Sequence, residues 1–157
     1  MHLKEPCESN HYLAGHTQLM RESLKHWSGC GLMEECDAET AARQLYYAPF
    51  ALLSHNVEED PIINYANVAA QKLFEMNWSE FVQLPSRLSA EAVLQDERNQ
   101  LLQRVAEHGF IDDYSGVRIS SSGKRFLINY ATVWNLQDSD GCYCGQAAMF
   151  SNWQLLV

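Results

Sequence analysis

The sequence predicts an α+β fold: a five-stranded antiparallel sheet with short helices on one face and a helical N-terminal extension. Two observations lead to this prediction. Strand-like runs lie in two groups, two runs before residue 67 and three after residue 109. Stretches with helical periodicity separate these groups, and further helical periodicity occupies the first 47 residues. Antiparallel strands with segregated helices define the α+β class.

The length and the charge of the chain limit its organisation and its partners. The 157 residues suffice for one domain with its own core, expected over residues 48–157, and for a helical extension over residues 1–47. Eleven Lys and Arg against twenty Asp and Glu give a net charge of -9. This charge opposes binding to nucleic acid and to an anionic membrane.

The cysteines and the hydropathy pattern predict a cytoplasmic protein. Five irregularly spaced cysteines indicate free thiols rather than a disulfide framework. No segment approaches the roughly 20 apolar residues that a membrane-spanning helix requires. The first ten residues contain no apolar signal core.

Two helices are expected in the N-terminal extension. Apolar residues at helical spacing from Tyr12 to Trp27 predict the first helix, with Ser9 as its N-cap and Gly29 near its end. Asp37 is expected to cap a second, shorter helix. The apolar stripe of the first helix is expected to pack on the chain's own domain or on a second copy of the chain.

The first two strands lead into a helix through one asparagine. The run FALLSH predicts a strand, Pro61 lies in the turn that follows, and IINY predicts the second strand. Asn67 lies three residues before Ala70, where an N-cap belongs. The helix that it caps is expected to bury four residues: Ala69, Ala70, Leu73 and Phe74.

A longer helix and a three-stranded meander are expected in the second half. Ser89 is expected to cap a helix over residues 90–108, with Arg98 inside an apolar stripe that includes Val93 and Leu94. Turns at residues 121–123 and 138–141 separate the last three strands. Alternation along the middle strand predicts one shared face for six residues: Phe126, Ile128, Tyr130, Thr132, Trp134 and Leu136.

Several short motifs, taken with this order of elements, resemble a known family. The motifs are Asp60-Pro61, Tyr65-Ala66-Asn67, residues 84–91, residues 114–120, Val133-Trp134-Asn135 and Gly145-Gln146-Ala147-Ala148. With them the chain is similar to PAS domains and, more closely, to stand-alone microbial-type members of the MEKHLA family of PAS-like domains. The resemblance implies a sensory or regulatory module that binds a small ligand or a protein partner and signals by a conformational population shift.

DNA binding is not implied by this resemblance. Plant members of the family carry the domain at the end of class III homeodomain–leucine zipper transcription factors, and this sequence contains neither a homeodomain nor a zipper. The alternatives to a ligand-binding sensor are a ligand-free interaction or dimerisation domain, with the N-terminal helix as its interface, and a small enzyme that uses the same cavity.

Flavin and haem are two cofactors that the resemblance suggests, and neither is favoured. Flavin-binding light sensors of the PAS superfamily carry a reactive cysteine in a stretch comparable to residues 84–88, where this chain has Ser86, so thiol photochemistry is not expected. Three strand amides can bond a flavin edge or serve the sheet: Asn129, Asn135 and Gln146. His55 and His108 can ligate haem, but histidines at the ends of elements are more often caps or surface residues.

Arginines and aromatic residues complete the set of site candidates. Arg98 and Arg118 lie near apolar residues, so each is expected to have a polar partner, either a structural ion pair or an anionic ligand. Four carboxylates are available for such an ion pair: Glu91, Glu97, Asp112 and Asp113. The candidates for a ligand pocket are Arg118, Asn129, Tyr130, Trp134, Gln146, Trp78 and His55. Asn67 and Arg98 are expected to be structural.

Neither a metal site nor a catalytic site is indicated by a motif. The pair Cys142 and Cys144 lacks a second pair at zinc spacing, and residues 138–141 lack the later glutamate of a calcium loop. Signatures of serine hydrolases, metalloproteases, P-loop enzymes and dinucleotide-binding enzymes do not occur. We therefore expect a protein that is not an enzyme, although a site assembled in space leaves no such motif.

Overall fold

The computed structural model describes residues 3–90 and 95–157. The N-terminal part contains a 3₁₀ segment and two helices: Glu8–Leu13, α1 (Ala14–Ser28) and α2 (Ala38–Tyr46). The first strands and the central helical elements follow: β1 (Ala51–His55), β2 (Ile63–Ala66), α3 (Val68–Phe74), α4 (Trp78–Phe81), a 3₁₀ turn (Ser86–Ser89) and α5 (Gln95–His108). Four strands complete the chain: β3 (Phe110–Ile119), β4 (Arg125–Gln137), β5 (Tyr143–Phe150) and β6 (Asn152–Leu155).

The strands form one antiparallel sheet in the order β2-β1-β5-β4-β3. The two predicted strand groups join where β1 pairs with β5, with Ala51 opposite Phe150. The short strand β6, which the sequence pattern did not predict, pairs with β4. The predicted α+β class and antiparallel sheet are therefore confirmed.

The sheet has a hydrophobic core on each face. On the inner face, side chains of α3 and α5 such as Phe74 and Val105 pack with Phe126 of the sheet. On the outer face, Met20 of α1 and Leu45 of α2 pack with other sheet residues. The apolar stripe of α1 thus packs on the chain's own sheet, which selects one of the two arrangements that the sequence left open.

The first helix begins later than predicted. The backbone of Tyr12 and Leu13 is left-handed, with φ of 54° at both residues, so the right-handed helix starts only at Ala14. Ser9 lies inside the preceding 3₁₀ segment and is not the N-cap of α1. Helical spacing of apolar residues predicted the helix but could not reveal this left-handed turn, because none of its residues is a glycine.

Other predicted helix ends are confirmed. Gly29 ends α1 with φ of 76°, and its N–H donates to the Lys25 carbonyl at 2.9 Å. Asp37 caps α2, since its Oδ1 accepts the Thr40 N–H at 2.9 Å. Left-handed backbone at Gly29 is common at the C-terminus of a helix, and a carboxylate acceptor such as that of Asp37 is common at an N-terminus.

The helix predicted over residues 90–108 is described from Gln95 onward. Ser89 belongs to the preceding 3₁₀ turn, and Ala90 has extended backbone, with φ of -129° and ψ of 151°. Ser89 is therefore not the N-cap of α5, and its hydroxyl donates instead to the Ser86 carbonyl at 2.8 Å. Val93 and Leu94 of the predicted stripe lie outside the described residues. In the part of the chain that is described, no helix has the length and apolar character to cross a membrane.

The side chains of β4 change faces in the middle of the strand. Phe126 and Ile128 lie in the inner core, whereas Trp134 and Leu136 lie in the outer core. Tyr130 has φ of 55°, which breaks the two-residue alternation, and its side chain is 73% exposed. The single predicted face for residues 126–136 is therefore wrong, because strict alternation requires extended backbone at every position.

Candidate functional site

A cavity of about 80 Å³ lies between the inner face of the sheet and helices α3 and α5. Its apolar walls are formed by Leu53, Ile63, Phe74, Leu101, Ile128, Val133 and Phe150. An adjoining groove of about 570 Å³ shares four residues with it: His55, Arg98, Leu102 and Gln146. The cavity is smaller than the roughly 300 Å³ of a typical small-molecule pocket. The cavity has room for a small chemical group, and the groove has room for the rest of a larger molecule.

Strand alternation places the cavity residues on the inner face. Leu53 and His55 are two residues apart on β1, and Gln146 and Ala148 are two residues apart on β5. These strands are neighbours, with His55 directly opposite Gln146 in the ladder. Successive side chains of a strand point to opposite faces, so residues at this spacing share one face.

Two arginines from different elements line the same cavity. The Arg98 Nη2 on α5 lies 3.4 Å from the Ser86 hydroxyl. The Arg118 Nη1 on β3 donates to the Val117 carbonyl at 3.0 Å, and its Cζ lies 5.2 Å from the centre of the Tyr114 ring. Burial, and then the neighbouring Arg118 charge, lowers the pKa of Arg98 from its usual value. The wall of the cavity therefore contains a concentrated positive charge.

The expected structural ion pair does not form among the described residues. Asp113 pairs instead with Arg104, whose Nη2 lies 2.9 Å from its Oδ1. Glu91 lies outside the described residues. Among residues 3–90 and 95–157, Arg98 and Arg118 have no carboxylate within ion-pair distance.

Tyr114 contributes a buried hydroxyl without a hydrogen bond. Within the described part of the chain, its Oη has no partner, and the residue is 7% exposed. Burial raises the pKa of Tyr114, so the phenol stays protonated and is able to donate. Gly116 leaves room for this ring, because a Cβ at position 116 would lie 2.1 Å from the Tyr114 Oη.

The sequence reasoning missed Tyr114 as a site residue. A signal for it was present, because Tyr114, Gly116 and Arg118 follow each other at two-residue spacing on one strand. That spacing predicts a shared face. An aromatic residue, a glycine and an arginine in this pattern are consistent with a ring that lies along the strand toward the guanidinium.

His55 and Gln146 complete the polar part of the wall. The His55 Nδ1 lies 2.9 Å from the Asn56 carbonyl, which makes Nδ1 the protonated nitrogen and leaves Nε2 as an acceptor. Burial lowers the pKa of His55, so the ring is neutral near pH 7. The Gln146 Nε2 donates to the Asn135 Oδ1 at 3.2 Å. The predicted candidates Arg118, Gln146 and His55 thus lie together.

The other predicted pocket residues lie elsewhere. Trp134 and Trp78 belong to the outer core, where the Trp134 indole donates to the Met20 carbonyl at 3.0 Å. Tyr130 is exposed, and Asn129 lies in the ladder opposite Asn152. None of these four lines the cavity or the adjoining groove. The change of face at Tyr130 is the physical reason for the displacement of Trp134.

Asn67 has the structural role that the sequence predicts, together with further bonds. Its Oδ1 accepts the N–H groups of Ala70 at 3.1 Å and Leu52 at 3.0 Å. Its Nδ2 donates to the carbonyls of Leu45 and Phe50, each at 2.9 Å. The side chain is fully buried. One residue therefore fixes α2, β1 and α3 relative to one another.

Metal ligands are not clustered in the described structure. Among residues 3–90 and 95–157, no group of three or more His, Cys, Asp or Glu side chains has the geometry to hold a metal ion. Cys142 is exposed and Cys144 is half-buried, and both are free thiols.

Solved structures with the same fold are PAS and light-oxygen-voltage domains. The PAS domain of a Colwellia psychrerythraea protein has a TM-score of 0.63 at 11% identity, covering 75% of this chain and 95% of that chain. An RNA-binding light-oxygen-voltage receptor has a TM-score of 0.59 at 14% identity, and the match covers 70% of this chain and 31% of that chain. A fungal LOV domain photoreceptor has a TM-score of 0.53 at 16% identity, and the match covers 69% of this chain and 75% of that chain. These similarities show a PAS-like fold.

The cavity does not fit a flavin or a haem, the two cofactors that the resemblance to PAS domains suggested. A volume of about 80 Å³, with Phe74, Tyr114 and the two arginines in its wall, is too small for a three-ring system or a porphyrin. Ser86, at the position where the resemblance to flavin-binding light sensors would place a reactive thiol, lies beside Arg98. His108 is exposed at the end of α5, away from the cavity lining.

Sequence comparisons identify the family. Homeobox-leucine zipper protein HOX29 of Oryza sativa subsp. japonica is 27% identical over 147 residues, which cover 86% of this chain and 16% of that protein. A protein of the same name from Oryza sativa subsp. indica gives 27% identity over 145 residues. The chain thus spans a small part of these relatives. The family model of the MEKHLA domain matches residues 14–155, and the chain belongs to the MEKHLA domain family.

Proposed function

We propose that this chain is a sensory or regulatory module that binds a small molecule in the cavity on the inner face of the sheet. The observation that carries the proposal is a mainly apolar cavity, open toward the adjoining groove, whose wall presents polar groups without a full set of partners among the described residues. Buried polar groups are normally hydrogen-bonded, and those that converge on a cavity indicate where a ligand binds. The PAS-like fold supports the same function.

The strand β1 offers a direct connection from the cavity to the N-terminal helix. Leu53 and His55 line the cavity, and the hydroxyl of Ser54 between them bonds to side chains of α1 and β2. This hydroxyl lies 2.8 Å from the His16 Nε2 of α1 and donates to the Asn64 Oδ1 at 2.6 Å. A ligand that shifts β1 therefore changes the contacts of α1.

The strand β4 makes a second connection of the same kind. Val133 lines the cavity, and the next residue, Trp134, holds the Met20 carbonyl on the other face. The Trp27 indole of α1 donates to the Asn135 carbonyl at 2.9 Å. Ligand binding is expected to bias the population between α1 docked on the sheet and α1 released from it.

A cavity-filling variant tests the proposal. Ala131 is 1% exposed and lines the cavity, so Ala131→Leu adds three carbon atoms to the space that a ligand would occupy. Ala38→Leu adds the same atoms to the start of α2, outside the cavity, and serves as the matched control. A library of small fragments is screened by thermal shift against the full chain and both variants, and small molecules released on denaturation are analysed by mass spectrometry.

The two outcomes of this experiment are distinct. Fragments that raise the melting temperature of the wild type and of Ala38→Leu, but not of Ala131→Leu, support a ligand in the cavity. Fragments that act equally on all three proteins, or a library without any binder, contradict it. The ligand-free interaction domain would then be the better description, and the net charge of -9 favours a partner other than nucleic acid.

A further inference from the structure

We infer that the ligand is a small organic acid, with its carboxylate between Arg98 and Arg118 and its apolar part in the cavity. This inference rests on the proposed function, because it assigns a chemical class to the ligand of the same cavity. Three groups carry it: the two guanidinium groups and the unpaired hydroxyl of Tyr114.

Among residues 3–90 and 95–157, the two guanidinium groups have few partners. Arg98 makes one long contact, 3.4 Å to the Ser86 hydroxyl, and Arg118 bonds to the Val117 carbonyl. Each guanidinium carries five N–H donors, so most of the donors have no acceptor among the described residues. Charged groups removed from water are costly unless an opposite charge and hydrogen bonds compensate for them.

The acidic residues near the pair are engaged elsewhere or exposed. Asp60 pairs with Arg87 at 3.2 Å, and Asp113 pairs with Arg104 at 2.9 Å. Glu97, beside Tyr114 and Gly116, is exposed to solvent and forms no ion pair within the described part of the chain. The local charge is therefore positive, and a bound anion would balance it.

Tyr114 supplies a third donor of suitable chemistry. Its neutral hydroxyl is buried without a partner in the described part of the chain, and its ring lies under the Arg118 guanidinium. A carboxylate accepts several hydrogen bonds and binds well to a planar guanidinium fork. One carboxylate placed in this wall thus pairs two cations and satisfies the unpaired hydroxyl.

The apolar walls and the size of the cavity favour an organic acid over an inorganic anion. The walls away from the arginines are apolar and include Phe74, Ile128 and Phe150. A cavity of about 80 Å³ gives room for only a few carbon atoms, and any larger part of the ligand would extend into the groove. An apolar body in contact with these walls adds binding energy that inorganic phosphate cannot gain.

The test compares acids with uncharged molecules of the same shape. Benzoate and butyrate are titrated into the full chain beside benzamide, butyramide and inorganic phosphate, and binding is followed by NMR shifts and by the melting temperature. We expect saturable binding of at least one acid, tenfold or more tighter than that of its amide and of phosphate.

Three variants locate the carboxylate. Arg98→Gln and Arg118→Gln each remove one guanidinium and are expected to weaken binding of the acid tenfold or more. Arg104→Gln changes an arginine of the same helix that pairs with Asp113 on the surface, so its affinity should equal that of the wild type. Arg98→Met tests the unpaired charge directly, since the free protein should melt at the same temperature as the wild type or higher.

Each contrary result identifies what fails. Acids and amides that bind equally well overturn the organic acid but leave the cavity as a ligand site. Phosphate that binds as tightly as the acids overturns the apolar body of the ligand. Neutral fragments that bind in the cavity while all acids fail overturn the inference alone, whereas the absence of any binder overturns the proposed function as well.

Discussion

The Asn67 Oδ1 accepts the backbone N–H of Leu52 at 3.0 Å, across the junction between β2 and β1. The same atom caps α3 through the Ala70 N–H. The cavity is formed by β1 on one side and α3 on the other, with Leu53 and Phe74 in its wall. A single buried amide therefore holds two walls of the candidate site in place.

Asn67→Asp tests the four bonds against a simple helix cap. Aspartate is as good an N-cap as asparagine, but it cannot donate to the carbonyls of Leu45 and Phe50. Two buried carbonyls without donors and a buried charge are expected to lower the free energy of unfolding by about 3 kcal/mol or more.

The exposed N-cap Asn77 provides the control for this variant. Among the described residues its Oδ1 accepts a single bond, from the Glu80 N–H at 2.9 Å, so Asn77→Asp should change the stability by less than about 0.5 kcal/mol. Urea unfolding of both variants measures the difference. Equal, small effects would show that Asn67 acts only as a cap.

His16 makes the stability depend on pH. Burial lowers the pKa of His16 to about 4, while an unfolded chain has a histidine pKa of about 6.5. Below pH 6.5 the unfolded state therefore binds a proton that the folded state does not. The contribution of His16 is fully present above pH 6.5 and is lost as the pH falls toward 4, by about 2 kcal/mol between pH 7 and pH 5.

The variant His16→Gln isolates this contribution from those of the other histidines. Its stability should fall less between pH 7 and pH 5 than that of the wild type, by about 2 kcal/mol. His26→Gln changes an exposed histidine of the same helix and should keep the wild-type pH dependence. Urea unfolding at both pH values gives the comparison, and parallel curves for the wild type and His16→Gln would contradict the buried neutral histidine.

The backbone of Tyr130 predicts opposite effects of two substitutions. Its φ of 55° is unfavourable for residues with a Cβ, and its side chain is largely exposed. Tyr130→Gly should raise the free energy of unfolding by about 1 kcal/mol, while Tyr130→Val should lower it by a similar amount or more. Thermal and urea unfolding measure both. A Tyr130→Val variant that is more stable than the wild type would contradict a left-handed backbone at residue 130, and with it the change of face in β4.

Tyr114→Phe and Tyr65→Phe form a matched pair. Both hydroxyls are buried without a partner in the described structure, so each substitution should raise the stability of the free protein by about 1 kcal/mol. Only Tyr114 lines the cavity, so only Tyr114→Phe should weaken benzoate binding, by about fivefold or more. Titration of both variants distinguishes a ligand contact from an unused hydroxyl, and equal affinities would assign the hydroxyl no role in binding.

The sequence predicted local structure best where one residue determines it. Asp37, Asn67 and Gly29 carry their own chemistry for helix ends, and all three act as predicted. Periodicity failed where the backbone departs from its ideal geometry without a glycine, at Leu13 before α1 and at Tyr130 in β4. A local pattern of apolar residues does not report left-handed backbone at such residues.

The candidate site could be predicted only in part, because some of its residues depend on backbone geometry that the local pattern does not report. The sequence pointed to Arg118 as an arginine among apolar strand residues, to Gln146 as a strand amide and to His55 as a histidine at a strand end, and the structure brings the three together. Trp134 was assigned to the wrong face, and Tyr114 was missed. Their positions depend on the face change in β4 and on the space above Gly116, which only the assembled sheet defines.

Hydrogen exchange shows whether a ligand in the cavity changes the docking of α1 on the sheet. The full chain is incubated in deuterated buffer with and without a saturating cavity ligand, benzoate first, and exchange is followed for the amides of α1. We expect the exchange rates of α1 amides to change about fivefold or more when the ligand binds, because β1 and β4 connect the cavity to His16 and Met20. A ligand that binds in the cavity and leaves the exchange of α1 unchanged would contradict this expectation.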